Sequence, residues 1–249
     1  MTTEPNYTIT PVNSGIIHGS EWGNLTLKRH MGEKTAVPTI IWVVRGGGRT
    51  VIVDTGPGDA AFVKSLVGRS LDRAVEPEDA LRKLGVDPSE VKTVVISHLH
   101  WDHSGGLDLF PNAEVIIQRS ELQWGIAPLP VQSPLYEWQR PDGELPRWLL
   151  ARRRMRIIDG DEEIAPGLKL VHLPGHTPGC MGLCCKTTGG RHLIACDAVP
   201  TYENLEDEVP PGWYVDLEQT YKTAAKIRKI ADVVLPGHDM RVFEKDEYP

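Results

Sequence analysis

The sequence predicts an α/β fold, and three observations carry that prediction. Short β-branched runs such as Val94-Val95-Ile96 and Val233-Val234-Leu235 have the near-continuous apolar character of strands covered on both faces. Helical periodicity occurs between such runs, most clearly from Leu217 to about Ala231. Four apolar runs end in a residue able to ligate a metal, as expected where ligands gather at the carboxyl ends of strands.

Taken in order, Thr39 to Val44 and Thr50 to Val53 are apolar runs around Arg45-Gly46-Gly47-Gly48-Arg49, the pattern of a β-hairpin. The second run ends in Asp54-Thr55-Gly56. Glu76 to Leu84 reads as a short helix, with Pro77 in its first turn and Gly85 beyond its end. Thr93 to Ser97 and Glu114 to Gln118 are strands. The stretch from Trp124 to Trp148, rich in proline and holding Trp138 as well, suits an irregular loop excursion that packs over the domain or walls a pocket. Leu168 to His172, Gly182 to Lys186 and His192 to Cys196 are strands, the last two turned by Gly189-Gly190. Asp216 caps the late helix, with Gln219 in the capping-box position and Leu217, Tyr221, Ala224 and Ile227 as its apolar stripe. Val233 to Leu235 is a final strand. No linker or repeat divides the chain, so one domain over residues 1–249 is expected, with its loop excursion near 124–150.

A length of 249 residues is ample for a sizeable core. The 34 acidic and 27 basic residues give a net charge of -7, which argues against a nucleic-acid partner. Arg152-Arg153-Arg154 is the one compact basic run and reads as a solvated helix end. No apolar run approaches the ~20 residues of a membrane span. Met1 to Asn6 is polar without a signal core, so a cytoplasmic protein is expected. Cys180, Cys184, Cys185 and Cys196 lack CxxC spacing and read as reduced, mostly buried thiols.

Chemistry concentrates in His98-Leu99-His100-Trp101-Asp102-His103, three imidazoles and a carboxylate within six residues. These are donors that borderline divalent metals prefer, and they follow a strand and precede Ser104-Gly105-Gly106, which permits a tight turn. His176, Asp197 and His238 stand at the ends of three other apolar runs, which places them as possible partners of the cluster. His18, His30, His172 and His192 read as structural or surface residues. Asp54 reads as an orienting residue behind the ligands.

Together, His98-x-His100-x-Asp102-His103, Gly175-His176-Thr177-Pro178-Gly179, Asp197, Gly237-His238 and Asp54-Thr55-Gly56 resemble the motif set of the metallo-β-lactamase superfamily. The resemblance spans Thr39 to Asp239 and implies a four-layer αββα sandwich with two divalent metals at one edge. It implies His98, His100 and His176 on the first metal, Asp102, His103 and His238 on the second, and Asp197 bridging them. Zinc is the foremost candidate, with manganese, iron or cobalt accepted by the same donors.

Within the superfamily, Asp197 separates the chain from the β-lactamases proper, and the short segment after His238 separates it from the glyoxalase II type. Val115 to Glu121 and Glu203 to Pro210 are similar to the same regions of the N-acyl homoserine lactonases. That likeness implies opening of a lactone ring by attack of a metal-bridging hydroxide on a small cyclic ester. Asp102 would pass a proton to the leaving group, and the enzyme would act as a monomer or homodimer. A same-fold hydrolase of a cyclic amide, thioester or other ester is the alternative, and a non-catalytic binding protein the reading from another class. The chain departs from the lactonases at Pro200, where they often carry a tyrosine that hydrogen-bonds the substrate carbonyl. Tyr202 is the candidate replacement.

Overall fold

The computed structural model describes residues 6–249, so residues 1–5 of the polar start lie outside the described residues. Among the described residues, twelve strands form two sheets. The first holds seven strands: β1 (Thr8–Glu21), β2 (Lys34–Gly46), β3 (Arg49–Val53), β4 (Leu71–Asp72), β5 (Thr93–Val95), β6 (Glu114–Gln118) and β7 (Met155–Ile158), in the order β4-β1-β2-β3-β5-β6-β7. The second holds β8 (Glu162–Ala165), β9 (Leu168–His172), β10 (Met181–Thr187), β11 (Gly190–Cys196) and β12 (Val233–Pro236), in the order β12-β11-β10-β9-β8. The helices are α1 (Ala60–Val67), α2 (Pro77–Lys83), α3 (Trp101–Ser104), α4 (Arg119–Ile126), α5 (Arg147–Leu150), α6 (Tyr202–Glu206) and α7 (Leu217–Ile230).

Alternating side chains explain the layering. Ile40, Trp42 and Val44 of β2 face Leu168, Leu170, Met181 and Ile194 of the other sheet in the central core. Ile41 and Val43 point the opposite way, against Leu81 of α2, Phe110, Tyr136 and Trp148. Val171, Leu193 and Ala195 form the outer face of the second sheet and pack on Ile227 of α7. Each sheet therefore buries both faces, one on the other sheet and one on helices, which gives the αββα sandwich the motifs imply.

The β2–β3 hairpin forms as expected, turned by Gly47 (φ 56°) and Gly48 (φ 73°) in the left-handed region that a tight right-twisted hairpin requires. Asp216 caps α7 by accepting from the Gln219 amide at 3.0 Å. The stripe of that helix differs from expectation, because Tyr221 is exposed while Thr220 and Thr223 are buried. Their hydroxyls return to the carbonyls of Leu217 and Pro174, both at 2.6 Å, so each threonine enters the interface with its polar group satisfied. The basic run also differs: Arg152 and Arg153 are exposed, but Arg154 anchors the loop by donating to the carbonyls of Phe110 and Ala113.

The tryptophan-rich segment packs largely onto the first sheet. Trp148 is fully buried and donates to the Tyr136 carbonyl, and Trp124 and Trp138 donate to Gln132 and to the Gly125 carbonyl. Leu135 is its contribution to the cavity described next, and the Leu135 carbonyl accepts from the Trp101 amide.

β3 and β5 run parallel, as do β11 and β12. Their carboxyl ends open on a common edge, where the chain leaves β5, β11 and β12 toward His98, Asp197 and His238 and leaves β3 through Asp54, the predicted orienting residue.

Candidate metal centre

At that edge the structure brings together all seven predicted donors. His98 Nε2 lies 2.9 Å from His100 Nδ1, which lies 3.2 Å from His176 Nε2. Three ring nitrogens converging at this separation match the edges of a tetrahedron around a metal with bonds of 2.0–2.1 Å, about 3.3 Å long. On the other side, His103 Nε2 and His238 Nε2 are 3.3 Å apart, with Asp102 oxygens within 4.0 and 3.8 Å of them. Asp197 stands between the groups. Its Oδ2 faces His176 (3.4 Å) and His98 (4.0 Å), and its Oδ1 faces His238 (3.1 Å) and His103 (3.2 Å).

Electrostatics and orphaned atoms test whether metals fit. Despite those approaches, Asp197 Oδ1 is buried and has no hydrogen bond of acceptable alignment. An orphaned carboxylate oxygen at such a crowded point is what a cation would satisfy. Burial, reinforced by neighbouring imidazoles, holds His98 and His100 well below the ordinary histidine range, and burial lowers His176 too. These three are neutral donors ready to ligate. Burial also opposes charge on His103 and His238, but the carboxylates, Asp197 foremost, outweigh it and raise both. The field on that side thus calls for positive charge, which a divalent ion would supply.

The remote ring nitrogens are held by the fold. His103 Nδ1 meets Asp54 Oδ2 at 2.7 Å, His176 Nδ1 donates to the Trp213 carbonyl at 2.8 Å, and His238 Nδ1 donates to the Pro38 carbonyl at 2.8 Å. Each bond leaves Nε2 free to face the centre, the usual arrangement behind metal-binding histidines. Asp54 also accepts from Ser97 N and Ser97 Oγ, both at 2.7 Å, so one carboxylate binds the start of the motif loop and one of its histidines. Asp54 (φ 58°) and Cys196 (φ 46°) adopt left-handed backbone conformations at the turns that deliver the site, at a cost of order 1–3 kcal/mol each. Gly237 is required beside His238, because a Cβ there would lie 2.6 Å from Asp197 Oδ1.

Sequence reasoning missed Glu121. This fully buried carboxylate accepts from Leu99 N (2.9 Å) and Tyr136 OH (3.1 Å) on one oxygen, and from Thr177 Oγ1 (2.6 Å) and Gly179 N (3.1 Å) on the other. It ties the loop of His98 and His100 to the loop of His176. The one signal in the sequence was the likeness of Val115 to Glu121 to the lactonases, which did not single it out.

Tyr202 is not brought to the site. Its ring packs against the core beneath Arg241, 4.6 Å away. Tyr202 is the first residue of α6, capped by Thr201, and its side chain packs on the core, while Pro200 and not Tyr202 lines the cavity. Pro200 does line the cavity, and its carbonyl accepts from the His238 amide at 2.8 Å. The cavity holds about 220 Å³ and is bounded by His100, Asp102, His176, Asp197 and His238, with Ile17, Leu25, Trp101, Leu135 and Trp213 as apolar wall. The other histidines bond elsewhere: His18 to Asp72, His30 to Glu203, His172 to the Pro178 carbonyl and His192 to Thr187. All four cysteines are free thiols, and burial pushes Cys180 and Cys196 well up, away from ligation as thiolates. Among the described residues, no helix is long and apolar enough to cross a membrane.

The sequence profile of the metallo-beta-lactamase superfamily matches residues 35–238. An N-acyl homoserine lactonase of Bacillus sp is 29% identical over 255 residues, 96% of this chain and 95% of the relative. A second, of Bacillus cereus, is 31% identical over 205 residues, 76% of each chain. Among solved structures, a variant of the B. thuringiensis lactonase AiiA, with N-decanoyl-L-homoserine bound at its active site, superposes with a TM-score of 0.74 at 25% identity, over 95% of both chains. With its donors gathered at the strand ends of an αββα sandwich, the chain belongs to the metallo-β-lactamase superfamily, and its relatives fall in the lactonase branch.

Proposed function

We propose that the protein is a binuclear metal-dependent hydrolase that opens the ring of a small lactone, of the N-acyl homoserine type or a related cyclic ester. The observation that carries the reading is Asp197, whose two oxygens turn toward two different groups of donors. Two divalent ions, zinc foremost, held by His98, His100 and His176 and by Asp102, His103 and His238, would supply an acidified water and a Lewis acid for the ester carbonyl.

The chain's own groups do the rest. Asp197 and the four buried imidazoles around it exclude bulk water, which strengthens every charge interaction at the reacting carbonyl. Asp102 is the most exposed member of the donor set, with 18% of its side chain accessible, and it lines the cavity. From there its carboxylate takes a proton from the attacking water and passes it to the ring oxygen as the carbon–oxygen bond breaks, so that water and lactone yield an alcohol, a carboxylate and one proton released to solvent. Ile17, Leu25, Trp101 and Leu135 offer an apolar surface for an alkyl or acyl substituent.

The test is a panel of lactones, cyclic amides and thioesters assayed on enzyme whose metal content has been measured. Two ions per chain and chelator-sensitive ring opening of lactones are expected. Turnover confined to amides or thioesters would move the assignment to another acyl bond. Fewer than two ions with no hydrolysis would make the chain a binding protein.

A further inference from the structure

We infer that Arg69 sets the substrate preference of the site by binding a carboxylate carried on the substituent of the lactone. The inference rests on the lactone-hydrolase reading and names the class of substrate within it. Arg69 is half-buried and lines the same cavity as His100, Asp102, His176, Asp197 and His238. The end of its side chain reaches that wall, since Nη1 donates at 3.3 Å to Oγ of Ser20, a buried residue of the same wall. Among the described residues this is the one polar contact of the guanidinium. Nε and Nη2 have no partner there, yet neither is sealed off, so both remain open to a solute. The other charges on the wall are already engaged. Glu21 is paired with Lys34, and Asp102 and Asp197 turn to the imidazoles of the donor set. Among the described residues, Arg69 is thus the ionised side chain of the wall that no opposite charge engages.

The backbone on either side of Arg69 is fixed to the elements that build the cavity. Gly68 (φ 69°) ends α1 in the left-handed conformation, its amide bonded to the Lys64 carbonyl at 3.0 Å. The Ser70 carbonyl accepts from the His18 amide at 3.0 Å, and Leu71 of β4 pairs with Ile17 of β1. Val67 and Leu71 pack in one cluster with Ile17, Leu25, Val37, Trp101 and Leu135, all of them cavity wall. This part of the wall therefore offers an apolar surface for a stem and a guanidinium for its polar end. A guanidinium is a planar fork of donors that matches the two oxygens of a carboxylate. An alkyl end displaces water from those donors and returns no bond, whereas a carboxylate replaces the water with a charge-assisted pair.

The experiment compares two homoserine lactones of matched shape, one N-succinyl, ending in a carboxylate, the other N-(4-methylpentanoyl), ending in an isopropyl group. Each is assayed on the metal-loaded wild type and on Arg69→Met, which keeps an apolar stem without the charge. In the wild type, kcat/KM should favour the succinyl substrate about tenfold, mainly through KM, and the preference should shrink as salt screens the pair. In Arg69→Met the preference should vanish while metal content stays that of the wild type. A wild type that prefers the isopropyl substrate, or opens both alike, would overturn the inference. So would a loss in Arg69→Met that is equal on the two, because Arg69 would then act on the part they share. If the wild type opened neither, the lactone-hydrolase reading would fail, and calorimetric titration of the metal-loaded protein with both lactones would decide the inference separately. Succinyl binding no tighter than isopropyl binding, or unaffected by Arg69→Met, would overturn it.

Discussion

Replacing Glu121 by glutamine removes a charge while preserving shape, and the structure lets the cost be worked out. The carboxylate accepts four hydrogen bonds, two from backbone amides (Leu99 and Gly179) and two from hydroxyls (Tyr136 and Thr177). A glutamine can satisfy both hydroxyls, because a hydroxyl facing its NH₂ can rotate and accept. It cannot satisfy both amides, since each shares an oxygen position with one hydroxyl. Whichever way the amide flips, either Leu99 N–H or Gly179 N–H is left facing another donor in a buried space. One unpaired buried donor costs about 1–3 kcal/mol. Relief from burying a charge offsets part of this, since burial already pushes Glu121 above the usual carboxylate range. Stability of the metal-free protein should therefore fall by about 1–2 kcal/mol, within the cost of the lost bond. The consequence for the site is separate. Leu99 stands between His98 and His100, and Thr177 follows His176, so loosening the brace blurs the first group of donors. Loss of such an orienting partner weakens metal affinity about 10–100-fold. Urea unfolding of the metal-free protein reads the first effect, and competition with a chromogenic chelator reads the second. A variant that loses stability but binds metal as the wild type does would refute the claim that Glu121 positions the ligands.

Two further outcomes follow from named contacts. Asp197→Ala should lose one ion per chain by metal analysis and nearly all hydrolysis, because each of its oxygens serves a different group of donors; near-normal turnover would contradict the bridging role. Asp232, bound by the Arg191 guanidinium and backbone amide, has its carboxyl held down at about 2, below the usual value of about 3.9. Its contribution to stability is complete above pH ~4 and fades as the pH falls toward 2, so the urea-midpoint gap between wild type and Asp232→Asn should narrow from pH 5 to pH 3, and a gap constant with pH would refute the linkage.

How much of this was legible in the sequence depended on whether the signal was local. The hairpin turned by Gly47 and Gly48, the strand Glu114–Gln118 and the cap at Asp216 depend on residues within a few positions of one another, and each stands where the pattern placed it. The long first strand, Thr8–Glu21, was not legible. Register shifts between Asn13 and Gly15 and between Ile17 and Ser20 break its alternation, and Pro11 interrupts its donors. The apolar stripe of the late helix failed for a related reason: a hydrophobicity count favours Tyr221 over Thr220, but only the fold supplies the carbonyls that let a threonine be buried.

The candidate site divides in the same way. The seven candidate donors stand out by residue type at strand ends, but it was the superfamily resemblance that joined them into one set, and the structure brings them together although His238 lies 135 positions from His103. The groups that aim them do not. Asp54 could be suspected because it sits in a strand-end motif, but Glu121 sits in α4, where a glutamate ordinarily faces water. Its burial is decided by how closely the loop of Gly179 approaches, since a Cβ there would lie 2.2 Å from the Glu121 amide nitrogen. Tyr202 shows the converse error. Proximity in sequence to Pro200 suggested a replacement phenol, but the helix Tyr202–Glu206, capped by Thr201, sets that side chain against the core. Residue type and motif resemblance point to the candidate donors; only the packing of distant segments reveals what holds them in place.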